Sequence, residues 1–577
     1  MNVKSFLPLM DWLPGYARSQ AANDLVAAMI VTVMLIPQSL AYALLAGLPP
    51  QVGLYASILP LMVYAVFGSS RTLSVGPVAV ASLMTAAALA PLAEVGTSEY
   101  LIGAVVLALL SGLMLMGMGL LRLGFLANFL SHPVISGFVT ASGLVIAASQ
   151  LQHLFGVEAS GHNLLAILQS LIGNLPQANA KTVAVGVGAL LFLVLSRRWL
   201  QPLLHKAGLP APLAGLLAKT APILAVLVTT VLAWRLNLGA QGVKLVGQVP
   251  GGLPSLAMPS LDWALWQQLA VSALLISVVG FVESVSVGQT LAAKRRQRID
   301  LDQELIGLGA ANVSAGLSGG MPVTGGFSRS VVNFDAGAET PAAGAFTAVG
   351  IALATVYLTP AIAYLPQATL AATIVVAVFA LIDLPALTRT WRYSRSDFGA
   401  MLATIVLTLG HSVEAGIVAG VTLSIGLFLY RTSRPHSAVV GRVPGTEHFR
   451  NVLRHAVELC PKVTFLRVDE SLYFANARFL EERVMDLVAG EPELRHLVLV
   501  CPAVNQIDAS ALESLEAINQ RLKNAGVTLH LSEVKGPVMD RLKKSDLLAN
   551  LSGEIFLTSY EAWQKLIGQS VARRTMV

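Results

Sequence analysis

"GGMPVTGGFSRSVVNFDAG", residues 319–337, places an arginine, Arg329, inside a chain that is otherwise overwhelmingly apolar. A proline and four glycines precede it, and both residue types weaken a helix interior. An ionisable residue within a membrane segment costs about 2.5–3.5 kcal/mol on insertion scales, so it marks a functional candidate. The stretch therefore predicts a short membrane helix that begins behind a Gly/Pro break and carries a charge.

The composition of the whole chain is that of a polytopic α-helical membrane protein. The 577 residues are 55% hydrophobic and 12% charged, with a mean hydropathy of +0.69, whereas a soluble domain carries roughly 25% charged residues. Many apolar runs approach the roughly 20 residues that a helix needs to cross a bilayer. The net charge of +6 is attributed to membrane topology, and no nucleic-acid role is expected.

Fourteen apolar segments are predicted, and several are too short to span a bilayer alone. They lie near 24–46, 51–67, 74–93, 99–121, 128–152, 181–197, 217–235, 265–290, 302–320, 326–336, 341–359, 366–383, 397–411 and 413–431. Between the fifth and sixth, "HNLLAILQSLIGNL" could form an interfacial helix.

The charges between the segments predict the orientation. Most Lys and Arg residues fall in loops that are cytoplasmic if the N-terminus is inside, which is the positive-inside pattern. The cluster "KRRQR" at 294–298 is interpreted as a topology anchor, with anionic-lipid binding as the alternative. The opening "MNVKSFLPLMDWLPGYARSQ" lacks a signal-peptide core, so no leader is expected to be removed. We expect a multi-pass protein of the inner or plasma membrane with both termini cytoplasmic.

The last quarter of the chain predicts a separate soluble domain. Of the 38 Lys and Arg residues, 19 fall in residues 431–577, which favours a boundary between a membrane domain, 1–435, and a cytoplasmic domain, 436–577. Cys460 and Cys501 both lie in the second domain, and their number and spacing suggest no disulfide framework.

The segments divide into two sets of seven, approximately 20–236 and 262–432. The third segment of each set opens at a Gly/Pro break, in "SVGPVAV" and in "MPVTGGF", and such matched breaks are typical of a transporter's midplane site. Seven spans invert the second copy, so the two short helices would point their N-termini toward each other. The alternative is two unrelated kinks.

Facing helix N-termini would form an anion site. Each offers unpaired backbone N–H groups and a partial positive charge of roughly half a unit. Gly76, Gly325 and Gly326 are expected to leave room for a ligand near the backbone. Ser328 would supply a hydroxyl donor, and Arg329 a permanent positive charge that need not touch the anion.

Glu283, in "LLISVVGFVESVSVGQTLA", is the second intramembrane candidate. One reading makes it a coupling group that takes up a proton when the substrate enters. The other makes it a fixed ion pair with Arg329, and the two are not exclusive. A sodium site is less supported, because Val287, one turn on, offers no oxygen ligand.

The first segment, "MLIPQSLAYALLAGLPP", adds polar residues. Pro37 is expected to break the helix, and Gln38 and Tyr42 lie one turn apart on one face. They could line the site from the side. Alternatively, Gln38 could satisfy the carbonyl that Pro37 leaves free.

Three patterns that resemble enzyme or metal motifs are rejected. "GLSGG" at 316–320 lacks the strand–turn–helix context of a nucleophile elbow. "LLAKT" around Lys219 lacks the glycines of a P-loop. His153, His162 and His411 show no metal-ligand spacing. The chain is therefore not expected to be an enzyme or to need a cofactor or metal.

These segments also resemble a known family. "DLVAAMIVTVMLIPQSLAYALLAGLPPQVGLYAS", "GSSRTLSVGPVAVAS", "NFLSHPVISGF", "FVESVSVGQTLA", "DQELIGLGAANVSAGLSGGMPVTGGFSRSVVN" and "AYLPQATLAATIVVAV" closely resemble the SulP (SLC26) anion-transporter family, in order and through nearly the whole chain. The resemblance implies fourteen helices as two inverted repeats of seven, divided into a core and a gate domain. It also implies elevator-like movement and a homodimer.

The resemblance implies site residues as well. Substrate contacts are expected from the first, third and tenth segments, at Gln38, Tyr42, Gly76, Pro77, Val78, Ala79, Gly326, Phe327, Ser328 and Arg329. Some relatives carry an aromatic ring at the place of Val78 and a serine at that of Gly326, so few side chains are expected to touch the substrate here. The family's acidic position on the eighth helix is Glu283, as in proton-coupled members.

The tail resembles a STAS domain, an α/β module. "KVTFLRVDESLYFANA", "HLVLVCPAVNQIDASALESLEAINQRL" and "GVTLHLSEV" predict strands and helices, and Asp508 precedes a helix start that it can cap. Stand-alone relatives carry a phosphorylatable serine directly after that aspartate, but Ala509 stands here, with Ser510 adjacent. A structural and dimerising role is favoured over regulatory docking of a cytoplasmic partner.

The function expected from this sequence is proton-coupled uptake of an anion. Sulfate is the family's commonest substrate, and bicarbonate or a C4-dicarboxylate such as succinate are alternatives. An uncoupled exchanger or channel would need the site without a titrating carboxylate, and a receptor that signals through the tail is a third hypothesis. Backbone dipoles read charge and size more than chemistry, so residues alone leave the anion open.

Overall fold

The computed structural model describes residues 7–129, 131–159, 161, 163–208, 210, 214, 221–247, 252–379, 381–567 and 573–575. The chain forms two compact units, residues 1–424 and residues 425–577. His162, Lys219, the first residues of the predicted seventh segment and the first six residues of the chain lie outside the described residues.

The first unit is helical and contains one pair of very short strands among its described residues. Its strands are β1 (Val75–Gly76) and β2 (Thr324–Gly325). Its helices are α1 (Leu9–Trp12), α2 (Arg18–Leu45), α3 (Pro50–Tyr55), α4 (Leu59–Phe67), α5 (Ala79–Leu89), α6 (Ser98–Leu120), α7 (His132–Phe155), α8 (Leu164–Asn174), α9 (Ala180–Leu195), α10 (Gln201–Lys206), α11 (Ala221–Arg235), α12 (Trp263–Lys294), α13 (Leu301–Leu317), α14 (Phe327–Asp335), α15 (Ala342–Tyr357), α16 (Thr359–Ile362), α17 (Gln367–Phe379), α18 (Leu384–Tyr393), α19 (Arg395–Gly410) and α20 (Val413–Ser433), whose last turns belong to the second unit.

Every predicted apolar segment contains a helix, because apolar runs of bilayer length satisfy their own backbone groups only in that form. In the described part of the chain, eight helical stretches are long and apolar enough to cross a membrane. They are Arg18–Leu45, Pro50–Phe67, Ser98–Leu120, His132–Phe155, Ala180–Lys206, Trp263–Lys294, Gln367–Tyr393 and Val413–Ser433. The fold is that of a multi-pass helical membrane protein, and "HNLLAILQSLIGNL" contains the helix α8.

The expectation that Pro37 breaks the first helix is wrong. α2 runs from Arg18 to Leu45 through the proline. Proline removes one hydrogen bond of a helix, but Pro37 is buried and the hydroxyls of Ser39 and Ser57 lie 2.7 Å apart on the next turn, so neighbouring residues support the helix here. Gln38 does not satisfy the freed carbonyl, because its side chain forms no hydrogen bond with any described residue.

Helices α6 and α13 approach each other at backbone distance. A Cβ atom on Gly112 would lie 2.6 Å from the backbone nitrogen of Val313, and one on Gly309 would lie 2.7 Å from that of Met116. Only glycine fits at such a crossing. The contact fixes α13, which leads into β2, against α6, which follows α5.

The second unit is an α/β domain built on one mixed sheet. Its strands are β3 (Ser437–Arg442), β4 (Phe449–Asn451), β5 (Val457–Leu459), β6 (Val463–Val468), β7 (His496–Val500), β8 (Thr528–Ser532), β9 (Ile555–Phe556) and β10 (Arg573–Thr575). The order is β10-β5-β3-β6-β7-β8-β9, with β4 on β3. Strands β6 to β9 are parallel and the other pairs antiparallel.

Helices cover the sheet of the second unit on both faces. They are α21 (Ala477–Gly490), α22 (Ala509–Asn524), α23 (Gly536–Leu542), α24 (Leu547–Asn550) and α25 (Ser559–Ile567). One core lies under α21 to α24 and another joins α25 to β3 and β6. Asp508 caps α22 as predicted, since its Oδ1 accepts the N–H of Ala511 at 2.9 Å. Cys460 and Cys501 are buried free thiols.

Candidate functional site

Strands β1 and β2 bring together the two short helices that the Gly/Pro breaks predicted. Val75 pairs with Gly325 and Gly76 with Thr324, in antiparallel register. Helix α5 follows β1 and helix α14 follows β2, and neither reaches the roughly 20 residues of a full span. Because the strands are antiparallel, the helices leave the pair in opposite directions and their N-termini face each other across it.

Both helix N-termini lack a side-chain cap. The residues at the cap positions are Val78 and Gly326, and neither makes a capping hydrogen bond from its side chain. The first intrahelical donors are the N–H groups of Ser82 and Ser330, which bond to the carbonyls of Val78 and Gly326. The N–H groups of the preceding turns remain available, as the first turn of a helix requires, so two sets of donors and two positive dipole ends converge.

Arg329 lies between the two helices. It is the third residue of α14, and helical side chains lean toward the N-terminus, so its guanidinium reaches back across the strand pair. Its Nη1 donates to the carbonyl of Pro77, directly before α5. The side chain is 2% exposed, and its Nε and Nη2 have no hydrogen-bond partner among the described residues. A buried cation with unpartnered donors is suited to an anion.

Gly76, Gly325 and Gly326 face protein side chains on the side where a Cβ atom would point, so the room predicted there for a ligand is not on that side. A Cβ atom on Gly326 would lie 2.8 Å from Nη2 of Arg329, and one on Gly76 would lie 3.4 Å from the same atom. A Cβ atom on Gly325 would lie 2.7 Å from the side chain of Leu73. The glycines make room for protein side chains, above all for the guanidinium.

Polar side chains of α14 join it to the chain before α5. The hydroxyl of Ser330 accepts the N–H of Ser74 at 2.9 Å and donates to the carbonyl of Gly326 at 2.7 Å. The amide of Asn333 donates to the carbonyl of Thr72 at 3.0 Å. The two half-helices are therefore linked by buried hydrogen bonds as well as by the strand pair.

Two further buried residues hold β2 from the neighbouring helices. The hydroxyl of Ser284 on α12 accepts the N–H of Gly325 at 2.8 Å. The side chain of Asn312 on α13 bonds to both backbone groups of Val323, at 2.9 and 2.8 Å. Sequence reasoning missed these residues and Ser330. Their signal was a small polar residue on an otherwise apolar helix, which alone is too common to be specific.

Glu283 lies on α12, one residue before Ser284. It is half-buried and borders an apolar cavity of about 10 Å³, too small for a substrate. The fixed ion pair with Arg329 is not formed, since no Lys or Arg nitrogen of the described residues lies within 4 Å of the carboxylate. Glu283 and Arg329 nevertheless lie close enough for their charges to interact through space. The cavity is also lined by Val80, at the start of α5.

The other predicted site residues differ in exposure. Tyr42 is buried and Gln38 half-buried on α2, while Pro77, Val78 and Ala79 are buried at the start of α5. At the start of α14, Phe327 is 49% exposed and Ser328 is exposed, in contrast to buried Arg329 beside them. Ser328 is therefore the accessible hydroxyl at this helix N-terminus.

The described residues contain no group of three or more His, Cys, Asp or Glu side chains that could hold a metal ion. The site consists of backbone N–H groups, one guanidinium, one carboxylate and hydroxyl groups. Such a set can bind an anion and exchange a proton.

Comparisons with known proteins give a consistent result. The model of the Sulfate permease family matches residues 22–404, and that of the STAS domain matches residues 456–569. The chain is 34% identical over 568 residues to Sulfate transporter 4.1, chloroplastic, of Arabidopsis thaliana, covering 96% of this chain and 81% of that protein. A probable sulfate transporter of Mycobacterium tuberculosis (strain CDC 1551 / Oshkosh) is 34% identical over 556 residues, with 95% and 96% covered.

Solved structures show the same fold. The murine Solute Carrier 26 family member A9 anion transporter, in the inward-facing state, superposes with a TM-score of 0.89 at 24% identity, covering 99% of this chain and 95% of that one. The transmembrane domain of a cyanobacterium bicarbonate transporter, BicA, gives 0.60 at 22% identity, with 70% and 98% covered. The predicted STAS domain is confirmed by the family match.

Proposed function

Since the chain belongs to the sulfate permease family, and is therefore a multi-pass anion transporter and not an enzyme, we propose that it takes up sulfate together with protons. The substrate is proposed from the relatives, whose names describe them as sulfate transporters. The observation that carries the proposal is the pair of uncapped helix N-termini that β1 and β2 hold next to the buried, partly unpartnered Arg329.

The anion is proposed to bind between the N-termini of α5 and α14. Free backbone N–H groups would bond to its oxygens, and the dipoles would offset part of its charge. Arg329 would raise the local potential, and its unpartnered Nε and Nη2 would be available to donate hydrogen bonds to the anion. The residues proposed to line the site are Gln38, Tyr42, Gly76, Pro77, Val78, Ala79, Gly326, Phe327 and Ser328.

Glu283 is proposed as the proton-coupling group. Its carboxylate has no basic partner within 4 Å among the described residues, yet interacts through space with Arg329. An anion that enters beside Arg329 would compensate the positive charge that favours ionised Glu283, and the carboxylate would then take up a proton. Substrate and proton would thereby move together.

The transport cycle is proposed to be elevator-like. The fourteen predicted segments would form two inverted repeats of seven, arranged as a core domain that carries the anion and a gate domain. We further propose a homodimer in the inner or plasma membrane, with both termini and the domain 436–577 in the cytoplasm. That domain would contribute to structure and dimerisation.

The proposal is tested with purified protein in proteoliposomes. Labelled sulfate, succinate and bicarbonate are offered separately, with and without an inward proton gradient. We expect concentrative uptake of sulfate driven by the gradient, and no such uptake of the other two anions. Uptake of succinate or bicarbonate in place of sulfate would identify that anion as the substrate. Uptake that follows the anion gradient alone would indicate an uncoupled exchanger or channel.

Glu283→Gln tests the coupling role. The neutral amide cannot titrate, so we expect downhill exchange of sulfate to continue while the proton gradient no longer drives accumulation. Ser286→Ala, an exposed position on the same helix, is the matched control and should transport like the parent chain. Proton-driven accumulation that survives in Glu283→Gln would exclude this carboxylate as the coupling group.

A further inference from the structure

A buried carboxylate on α13, Glu304, binds the chain that leads into β1. Its Oε1 accepts the N–H groups of Ser69 and Ser70 at 2.8 and 2.7 Å and the hydroxyl of Ser69 at 2.7 Å. Its Oε2 accepts the hydroxyl of Tyr64 at 2.7 Å. Glu304 is 1% exposed. The first unit, residues 1–424, is called the membrane unit below, and its halves are the parts before and after residue 250. All four donors lie in the first half of the membrane unit, whereas Glu304 lies in its second half.

Asp24 on α2 binds the chain that leaves α14 in the same way. Its Oδ1 accepts the N–H groups of Glu339 and Thr340 at 2.7 and 3.1 Å. Its Oδ2 accepts the hydroxyl of Thr340 at 2.5 Å and that of Tyr16 at 3.1 Å. The side chain is fully buried. Here the carboxylate lies in the first half and three of its four donors lie in the second.

The two sites are chemically alike. In each, a carboxylate accepts two consecutive backbone N–H groups, the hydroxyl of one of those two residues and a tyrosine hydroxyl. Neither carboxylate has a Lys or Arg nitrogen within 4 Å among the described residues. Hydrogen bonds to a carboxylate are roughly twice as strong as neutral ones, so each site fixes a loop conformation without a balancing cation.

Both loops connect directly to the half-helices. Ser70 lies five residues before β1, and Glu339 four residues after the last residue of α14. The end of α14 is also held by Arg295, whose guanidinium donates to the carbonyls of Phe334 and Ala338. Hydrogen bonds to an anion weaken steeply with distance and angle, so the placement of both N-termini depends on how these loops are fixed.

We propose that Glu304 and Asp24 are positioning residues, with Glu304 setting β1 and α5 and Asp24 setting α14, an inference that rests on the proposed anion site between these helices. Neither carboxylate touches the anion. Each acts by holding one loop through four hydrogen bonds, so that a half-helix too short to span the bilayer keeps its N-terminus in place.

The test combines hydrogen exchange with transport. Glu304→Gln and Asp24→Asn remove the charge and keep the shape, and Glu304→Ala and Asp24→Ala remove the acceptors altogether. Hydrogen exchange of the full-length protein is followed in the hydrogen-bonded turns 82–89 and 330–335. The matched controls are Asp302→Asn, on the first turn of α13 with a bond to Gly124, and Glu339→Gln, whose carboxylate accepts from Asn23.

We expect a site-specific pattern. Substitution of Glu304 should accelerate exchange mainly in residues 82–89, and substitution of Asp24 mainly in residues 330–335. The acceleration should be about tenfold in Glu304→Gln and Asp24→Asn, which corresponds to the loss of about one charged hydrogen bond. It should be larger in the two alanine variants. The KM for labelled sulfate should rise by a similar factor while the number of folded transporters stays the same. The two controls should leave exchange and KM unchanged.

The exchange measurement does not depend on the anion, so the two proposals fail separately. Local acceleration with an unchanged KM would keep the positioning role and place the anion elsewhere. Unchanged exchange in both half-helices would overturn the inference. A uniform acceleration that extends through α6 and α13, with a lower maximal rate at constant KM, would also overturn it, because it would show a general contribution to stability.

Discussion

The two units of the chain differ in how completely they satisfy their buried polar atoms. Among the described residues, every buried side-chain nitrogen or oxygen without a hydrogen-bond partner lies in the membrane unit. Four of these atoms surround the β1–β2 pair: Oγ of Ser74, Nε and Nη2 of Arg329, and Oδ1 of Asn333. Folded proteins pair nearly all such atoms, so four unpartnered atoms around one pair of strands are an unusual concentration.

The second unit shows the opposite pattern in its described part. The amide of Asn519 bonds to the carbonyl of Asn550 and to the N–H of Ser552. The buried ring of His530 accepts the N–H of Glu554 at 3.0 Å and lies 3.2 Å from a ring nitrogen of His496. The buried polar groups of the second unit are therefore paired within its own fold. In the first unit, by contrast, the unpartnered atoms around the β1–β2 pair include the Nε and Nη2 donors of Arg329, and free donors of this kind are what binding of an external anion requires.

The largest test of this difference is the removal of the guanidinium. Arg329→Met keeps a flexible, unbranched stem similar to the aliphatic part of arginine and removes the charge and the donors. We expect the KM for sulfate to rise by about 30- to 150-fold, because hydrogen bonds to charged groups contribute about 2–3 kcal/mol. The measurement is the concentration dependence of labelled sulfate uptake in proteoliposomes.

Arg329→Lys is the matched variant for this prediction. It keeps a positive charge but lacks the planar fork that bonds to Pro77, so its KM should lie between those of the parent and of Arg329→Met. If both substitutions lowered the amount of folded protein but left the KM unchanged, the unpartnered donors of Arg329 would have no part in anion binding.

A smaller effect separates the two glycines that contact the guanidinium. A Cβ atom on Gly326 would lie 2.8 Å from Nη2 of Arg329, whereas one on Gly76 would lie 3.4 Å away. Gly326→Ala must displace the guanidinium, and we expect a KM about tenfold higher. Gly76→Ala should change the KM by less than about threefold, since 3.4 Å is close to ordinary contact.

Uptake kinetics of the two variants, measured side by side, decide the role of the glycines. If Gly76→Ala had the larger effect, or both effects were equal, the two glycines would matter for approach of the anion to the backbone and not for the position of the Arg329 guanidinium. The comparison is sharp because both substitutions add the same methyl group next to the same atom.

The positions of the helices could be predicted from the sequence because the bilayer dictates them. A run of apolar residues of sufficient length has one way to satisfy its backbone in lipid, so all fourteen segments contain helices. The breaks before α5 and α14 were visible for the same reason, as Gly and Pro interrupt otherwise continuous runs. The tail was predictable from its alternation of strand and helix patterns.

The internal geometry of the site could not be predicted in this way. Strands of two residues leave no periodicity, and Arg329 bonds to a carbonyl 252 residues earlier in the chain. A glycine indicates only that space is needed, not that a guanidinium fills it. The carboxylates of Asp24 and Glu304 lie near segment ends, where charged residues are common, so only the structure shows that each accepts four hydrogen bonds. Pro37 was misleading because the packing around α2 holds the turn that it weakens.

In the second unit no effect on transport is expected, and the test concerns stability alone. Burial, and the neighbouring His496, lower the pKa of His530 to about 4, from an ordinary value of about 6.5. Between these values the unfolded chain binds a proton that the folded domain does not. Stability is therefore fully present above about pH 6.5 and decreases as the pH falls toward 4.

At pH 5.5 this linkage amounts to about 1.4 kcal/mol, or tenfold in the opening equilibrium. Hydrogen exchange in β8 of the full-length protein, corrected for intrinsic rates, should lose about tenfold protection between pH 7.5 and pH 5.5. In His530→Asn the amide oxygen can replace Nδ1 as the hydrogen-bond acceptor but does not titrate, so most of the pH dependence should disappear. His448→Gln, at an exposed position, is the control and should retain the pH dependence. Sulfate KM at pH 7.5 should be the same in all three proteins. A changed KM in His530→Asn would contradict the contrast between the two units, because it would connect a fully paired polar group of the second unit to the anion site of the first.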